Sequence, residues 1–105
     1  MKKFSDILPT LENADHIQKI ELFNTDGTSA GVIENRPGSA GSVRVYHHLW
    51  KKHGEITPEA AKEGLKIYAE HTENAESNPG KHPNIDRLFG VIESNAPLSV
   101  TITPL

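Results

Sequence analysis

The sequence contains no cysteine, and this absence removes disulfide bonds, thiolate metal sites and cysteine nucleophiles together. It also has no long apolar run. Ser5, Asp6 and Pro9 interrupt the segment after the N-terminal lysines, so neither a signal peptide nor a transmembrane helix is expected. No run of lysine or arginine is present and the formal charge is -3, which disfavours nucleic-acid binding. We therefore expect a cytoplasmic protein that acts on neither membranes nor nucleic acids.

The residues that are present favour one small folded domain. The 105 residues match the commonest domain size, and no linker is long enough to divide residues 1–105. Apolar residues make up 35% of the chain and recur at helical or strand spacing, which a disordered chain would not show. A single globular domain spanning 1–105 is the expectation.

Histidine is frequent for a chain of this length, with six in the sequence. Protonating all six would change the formal charge from -3 to +3, within the pH range in which histidine titrates. A pH-responsive surface is one interpretation of this count. A set of unrelated surface histidines is the other.

The N-terminal half predicts a β-hairpin. Asp26-Gly27 lies between two segments of β-type residues, as in a tight type I′ turn. A two-residue loop at this point would place Ile20 opposite Ile33 and Phe23 opposite Ala30. Both faces of the hairpin would then gain apolar contacts.

Helical and strand periods predict the other elements. The clearest signals are Thr57 as an N-cap, Pro58 at the first helical position and Gly54 as the C-cap of the preceding helix. The predicted elements are a helix from Phe4 to Leu11 that Pro9 shortens or kinks, a third short strand at Val43 and Val45, a two-turn helix from Tyr46 to His53, a helix from Thr57 to Glu76, a helix from Asn84 to Ser94 and a closing strand from Leu98 to Thr103. This order predicts an α+β fold, with helices packed on one face of a small, mainly antiparallel sheet. The sheet would contain the hairpin, the third strand and the C-terminal strand.

The first candidate site is the corner between the last two predicted helices. Pro83 or Asn84 can open the second of these helices as its first residue or N-cap. Free backbone N–H groups there, beside Lys81 and His82, would bind a carboxylate or phosphate. A purely structural corner is the alternative, because Asp86 already complements the helix dipole.

The second candidate site is the glycine-containing loop after the hairpin. It offers Arg36, Ser39 and Ser42, with two glycines that allow backbone amides to approach a ligand closely. The loop matches neither a P-loop nor a dinucleotide fingerprint, so a flexible connection is the alternative. If both loops lie at the same end of the sheet, Arg36, Lys81 and His82 would form one cationic pocket.

A third candidate site would use histidine and glutamate for metal binding or acid–base chemistry. His47, His71 and His82 could ligate a metal together with Glu70 if the four side chains converge. Their spacing gives little support, since no H-E-x-x-H motif is present and no two histidines lie one turn apart on a helix. Tyr68 could join the acid–base set only if these residues lined a pocket.

Three segments carry a resemblance to a known family: "ENRPGSAGSVRVYHHL", "EGLKIYAEHTE" and "PGKHPNIDRL". Together they resemble a family of short proteobacterial proteins described only as a domain of unknown function, and the similarity covers nearly the whole chain. The resemblance implies a bacterial, stand-alone, cytoplasmic protein. It implies no activity and no catalytic residue.

The sequence therefore leaves three functions open. The favoured one is a non-enzymatic binding module without a cofactor, which holds an anionic small molecule or a partner protein near Arg36, Lys81 and His82. The second is a histidine-based metal protein or small enzyme. The third is a homodimer that pairs through the edge strand from Leu98 to Thr103, whose backbone would otherwise be exposed.

Overall fold

The computed structural model describes residues 2–105. Its elements are α1 (Phe4–Ile7), a 3₁₀ turn (Leu8–Thr10), β1 (Ile17–Phe23), β2 (Ser29–Glu34), α2 (Ala40–His53), α3 (Pro58–Tyr68), α4 (Glu70–Ser77), α5 (Pro83–Ser94) and β3 (Ser99–Pro104). The strands form one antiparallel sheet in the order β2-β1-β3. The predicted α+β class is confirmed.

The central strand β1 separates a buried face of the sheet from a polar one. Ile20 and Leu22 are fully buried, whereas Lys19 and Glu21 lie on the other face and are partly exposed. Helix α2 contacts both β1 and β2. The helices therefore cover the apolar face, as the alternating pattern predicts. Within residues 2–105, no helix is long and apolar enough to cross a membrane.

The hairpin has the predicted register at its centre but not near its tip. Ile20 lies opposite Ile33, as predicted. Phe23 lies opposite Ser29, so its predicted pairing with Ala30 is wrong. The register shifts between Leu22 and Phe23, which leaves Ala30 in a bulge of β2.

The turn itself explains this shift. The N–H of Gly27 donates to the carbonyl of Asn24 (3.0 Å), and Gly27 has a φ of 88°. Asp26 has no positive φ and its carboxylate accepts from the N–H of Thr28 (3.0 Å), so the predicted type I′ turn is wrong. The N–H of Asn24 donates to the carbonyl of Thr28 (2.8 Å), so the closed loop has three residues, 25–27, instead of two, and the bulge absorbs the extra one.

The third short strand predicted at Val43 and Val45 is wrong, because both residues lie in α2. Val43 lies three residues before Tyr46 and Val45 four before Leu49, and all four are fully buried. Burial against the sheet outweighs the weak β-preference of valine. The end of this helix is as predicted, with Gly54 at its C-cap.

The helix predicted from Thr57 to Glu76 is divided into α3 and α4. Its start is confirmed, since the N–H of Ala60 donates to Thr57 Oγ1 (3.1 Å). The division falls at Ala69, whose φ of 52° is strained for a residue with a Cβ atom. A new helix therefore starts at Glu70 and places His71 in its first turn.

The C-terminal elements are close to those predicted. Helix α5 has Pro83 at its first position, but its N-cap is His82 and not Asn84. Strand β3 lies at the edge of the sheet, and Leu98, just before it, forms a bridge with Ile56. Dimerisation through this edge remains a prediction.

The surroundings of two helical glycines predict opposite effects of replacing each with alanine. A Cβ atom on Gly64 would lie 2.7 Å from Leu88 Cδ1 and 3.0 Å from Leu49 Cδ1, whereas one on Gly90 would meet nothing within 4 Å. Inside a helix, alanine stabilises the folded state by about 1 kcal/mol relative to glycine, whereas overpacking of a core destabilises it by roughly 1–3 kcal/mol. We therefore expect urea denaturation to show that Gly90→Ala raises the free energy of unfolding and Gly64→Ala lowers it. Equal stabilisation by both changes would show that the two leucines move aside freely.

Candidate functional site

A cleft of about 420 Å³ opens where the first turns of three helices meet. We call it the helix-start cleft. The first-turn residues that line it are Ala40, Gly41 and Ser42 of α2, His71 of α4, and Asn84 and Ile85 of α5. His82, the N-cap of α5, also lines it.

Backbone N–H groups at this cleft lack partners within the protein. Those of Gly41, Ser42 and Asn84 have no acceptor among the described residues. The first turn of α2 carries no acidic residue, and the hydroxyl of its N-cap Ser39 donates away from the helix, to the carbonyl of Glu34 (2.5 Å). Helix N-termini with free N–H groups attract anions, because both the N–H donors and the helix dipole favour negative charge.

The serine of the cleft is held by a buried tyrosine. Tyr68 donates its hydroxyl proton to Ser42 Oγ (2.7 Å), and its ring stacks on Phe4 with centroids 5.4 Å apart. Burial raises the pKa of Tyr68, so this phenol stays protonated at neutral pH. The Ser42 hydroxyl proton remains available to a ligand.

Two histidines from different elements meet in the same cleft. The ring centroids of His71 and His82 lie 6.1 Å apart. His82 Nε2 donates to Asn74 Oδ1 (2.7 Å), while His71 packs edge-on against Phe4. The cleft thus combines backbone, hydroxyl and imidazole donors.

A second cleft, of about 480 Å³, shares Asn84 with the first. We call it the arginine cleft, because Arg36 and Arg87 both line it. Arg36 forms an ion pair with Glu34, and Ser39 completes the polar part of the lining. Its wall is built from β2, the glycine-containing loop and the start of α5.

Arg87 is partly buried and bonded only to neutral oxygens. Its Nε donates to the carbonyl of Ala30 (2.9 Å), and its Nη1 donates to Asn84 Oδ1 (2.9 Å) and to the Tyr46 hydroxyl (3.3 Å). Burial raises the pKa of Tyr46 to about 12 although the charge of Arg87 opposes this, so the phenol is neutral and donates to the carbonyl of Asn84 (2.5 Å). Arg87 forms no ion pair anywhere in residues 2–105.

A scan against protein-family models matches residues 4–102 to a family described as "Uncharacterized protein conserved in bacteria (DUF2322)". The chain belongs to this family. The resemblance inferred from three sequence segments is thus confirmed for a bacterial family of uncharacterised proteins, but the match shows no restriction to proteobacteria. No curated protein and no solved structure matches the chain.

The DUF2322 match includes all six residues predicted to bind a ligand, and the fold places five of them in the two clefts. Ser42, His82 and Asn84 line the helix-start cleft, whereas Arg36 and Ser39 line the arginine cleft together with Asn84. Lys81 is exposed and is not among the residues that line either cleft. The prediction of one cationic pocket from Arg36, Lys81 and His82 is therefore wrong.

Of the four residues predicted to bind a metal, His71 and His82 meet in the helix-start cleft, but His47 and Glu70 do not line it. His47 is 3% exposed and packs against His16 and Trp50, with ring centroids 5.4 and 5.9 Å apart. Glu70 accepts a hydrogen bond from the N–H of Phe4 (2.7 Å). In the part of the chain that the structure describes, no three histidine, aspartate or glutamate side chains form a group that could hold a metal ion.

Sequence reasoning missed Arg87 and Tyr46. One local signal could have found the arginine: it follows Asn84 by three residues and so lies on the same face of α5. Tyr46 offered no such signal, since it lies 38 positions from Asn84 in the sequence. Both residues are parts of the DUF2322 match that position Asn84 between the two clefts.

Proposed function

We propose that the protein binds a small anionic molecule and holds a carboxylate or phosphate group of it in the helix-start cleft. One observation carries this proposal: Gly41, Ser42 and Asn84 line a single cleft, and the backbone N–H groups of all three have no acceptor among the described residues. Two helix starts provide these donors, and the Ser42 hydroxyl and two imidazoles lie beside them. Such donor sets complement an anionic oxygen cluster.

The carboxylate at the start of α4 does not compete with such a ligand. Glu70 lies in the first turn of α4, where it already accepts from the N–H of Phe4. This hydrogen bond and the one from its own backbone N–H lower the pKa of Glu70. Its charge therefore stabilises the packing of α1 on α4, and its carboxylate does not line the helix-start cleft.

The contacts favour binding over catalysis. Ser42 is hydrogen-bonded to a protonated tyrosine and not to a histidine, so no general base activates it as a nucleophile. His82 donates to an asparagine amide, which has no charge to tune the imidazole for acid–base work. A non-enzymatic binding module is the function that this geometry supports best.

A carboxylate placed inside the cleft by mutation tests the proposal. Ser42→Asp puts a negative charge at the third helical position of α2, where it stabilises the helix by roughly 0.3–1 kcal/mol and occupies the anion site. We expect wild type to bind inorganic phosphate in isothermal titration calorimetry. The variant should bind it at least roughly tenfold more weakly while its melting temperature stays equal or rises.

The matched control is Ser99→Asp, which adds the same charge at an exposed position of β3, outside both clefts. Its affinity for phosphate should remain close to that of wild type. Equal phosphate affinity in wild type and Ser42→Asp would overturn the proposal, and so would the absence of binding of phosphate and of simple carboxylates to wild type.

A further inference from the structure

The arginine cleft carries an excess positive charge. Three charged side chains line it: Glu34, Arg36 and Arg87. Glu34 pairs with Arg36, which leaves the charge of Arg87 unbalanced. The whole chain carries a formal charge of -3, so this cleft differs in sign from the protein around it.

Arg87 presents donors that the protein does not use. Its Nε and Nη1 are bonded, but Nη2 has no acceptor within residues 2–105. The three acceptors that hold the guanidinium are a carbonyl, an amide oxygen and a phenol, all neutral. A partly buried arginine normally pairs with an anion, and its planar fork binds carboxylate or phosphate in a bidentate manner.

The two clefts share their dividing wall. Asn84 lines both: its side chain accepts from Arg87, and its backbone N–H is free at the start of α5. On the other side of the wall, Ser39 lines the arginine cleft and the adjacent Ala40 lines the helix-start cleft. Neighbouring residues are about 3.8 Å apart along the chain, so the two clefts are adjacent.

We infer that the ligand is an elongated molecule with two anionic groups, one held in the helix-start cleft and the other between Arg36 and Arg87. This inference rests on the proposed function, since the first cleft must bind an anion. Linear dicarboxylates and phosphonocarboxylates are the chemical classes that fit. The length of the spacer between the two charged ends determines which member binds, because both ends must reach their donors at once.

The test is calorimetric titration of the full chain with linear dicarboxylates of increasing length from malonate upward, and with the phosphonocarboxylates of matching length. We expect one length to bind as one molecule per chain, at least roughly tenfold more tightly than acetate or inorganic phosphate. The series whose best member binds more tightly shows whether the two clefts together prefer two carboxylates or one carboxylate and one phosphonate.

Arg36 and Glu34 lie at the exposed end of the arginine cleft, so variants of these two residues leave the buried contacts of Arg87 unchanged. The side chain of Arg36 is 69% exposed, so Arg36→Ala should leave the fold intact while weakening the best dianion roughly tenfold. Glu34→Gln frees Arg36 from its ion pair and should tighten dianion binding. Lys81→Ala removes a charge outside both clefts and is the control with unchanged affinity.

The outcomes separate this inference from the proposed function. Phosphate affinity that is lost in Ser42→Asp but kept in Arg36→Ala supports an anion site in the helix-start cleft alone. If, in addition, no dianion binds more tightly than the single anions, or Arg36→Ala binds the best dianion as wild type does, the two-anion inference is wrong. If wild type binds none of these anions, both fail.

Discussion

Replacing Gly31 with alanine is expected to lower the free energy of unfolding by about 3 kcal/mol. Gly31 has a φ of 133°, which an L-residue with a Cβ atom rarely adopts. A Cβ atom there would lie 2.3 Å from Arg87 Nη2 and 3.0 Å from its Cζ. The substitution therefore strains the backbone of β2 and displaces the guanidinium at the same time.

A second glycine provides the matched control for the backbone part of this effect. Gly27 also has a positive φ, of 88°, but a Cβ atom there would meet nothing within 4 Å. Gly27→Ala should therefore cost only about 1 kcal/mol. Urea denaturation of the two variants measures the difference, which reports the displacement of Arg87 together with the extra backbone strain at a φ of 133°. Equal losses would mean that the guanidinium moves without resistance.

Acidification is expected to destabilise the protein through His47, and His47→Leu should remove most of this sensitivity. His47 is 3% exposed and its Nδ1 has no hydrogen-bond partner in the part of the chain described here. Burial lowers the pKa of His47, and the positive charges of His16, Lys51 and His48 act in the same direction. The carboxylate of Glu12 opposes them but is itself paired with Lys51 (3.0 Å).

The direction of the pH effect follows from this lowered pKa. The unfolded chain protonates His47 near the ordinary histidine pKa of about 6.5, whereas the folded chain keeps it neutral to a lower pH. As the pH falls through the unfolded pKa of about 6.5, the unfolded state binds more protons than the folded state, so the free energy of unfolding decreases. Above about pH 7.5, His47 is neutral in both states and contributes no slope.

The measurement is urea denaturation of wild type and His47→Leu between about pH 5 and pH 8. Leucine removes both the titrating ring and the unpartnered Nδ1, so the variant should be more stable by about 2 kcal/mol near pH 5.5 and by less near pH 8. Parallel curves for the two proteins would show that His47 does not carry the pH dependence.

The pH range of the measurement must also exclude the titration of Glu63. Partial burial opposes the ionisation of Glu63, but hydrogen bonds from His53, His48 and Lys52 outweigh it and lower the pKa of Glu63 to about 2. The ordinary value is 4.5, so the stabilisation from Glu63 is complete above that pH and is lost as the pH falls towards 2. Work above about pH 5 therefore isolates histidine titration.

The elements that sequence reasoning placed correctly depend on neighbours in the chain. Thr57 and Pro58 mark the start of α3 through one capping hydrogen bond and one fixed φ angle, and Gly54 marks the end of α2 in the same local way. Alternating side chains placed β3, and the loop assumed at Asp26-Gly27 placed Ile20 opposite Ile33, a pairing that the bulge at Ala30 preserves. These signals need no knowledge of the rest of the fold.

The elements placed wrongly depend on distant contacts. Val43 and Val45 read as a strand because valine prefers β-structure, yet burial of their side chains makes that segment helical. The helix break at Ala69 could not be predicted from the sequence, because no glycine or proline lies at that position. Its strain is compatible with the fold because Thr72 and Glu70 bond to Leu65 and to Phe4.

In the candidate site, too, local signals predicted some residues and distant contacts decided the others. The sequence alone predicted Ser42, His82 and Asn84 as binding residues from the free donors expected at loops and helix starts, and the structure places these three residues in one cleft. Only the tertiary structure assigned Arg36 to a second cleft and brought Arg87 into it. Arg87 is held by Ala30 and Tyr46, which lie 57 and 41 positions away in the sequence. Local chemistry determines where a helix begins and which donors it offers, whereas the packing of distant segments decides which donors face the same ligand.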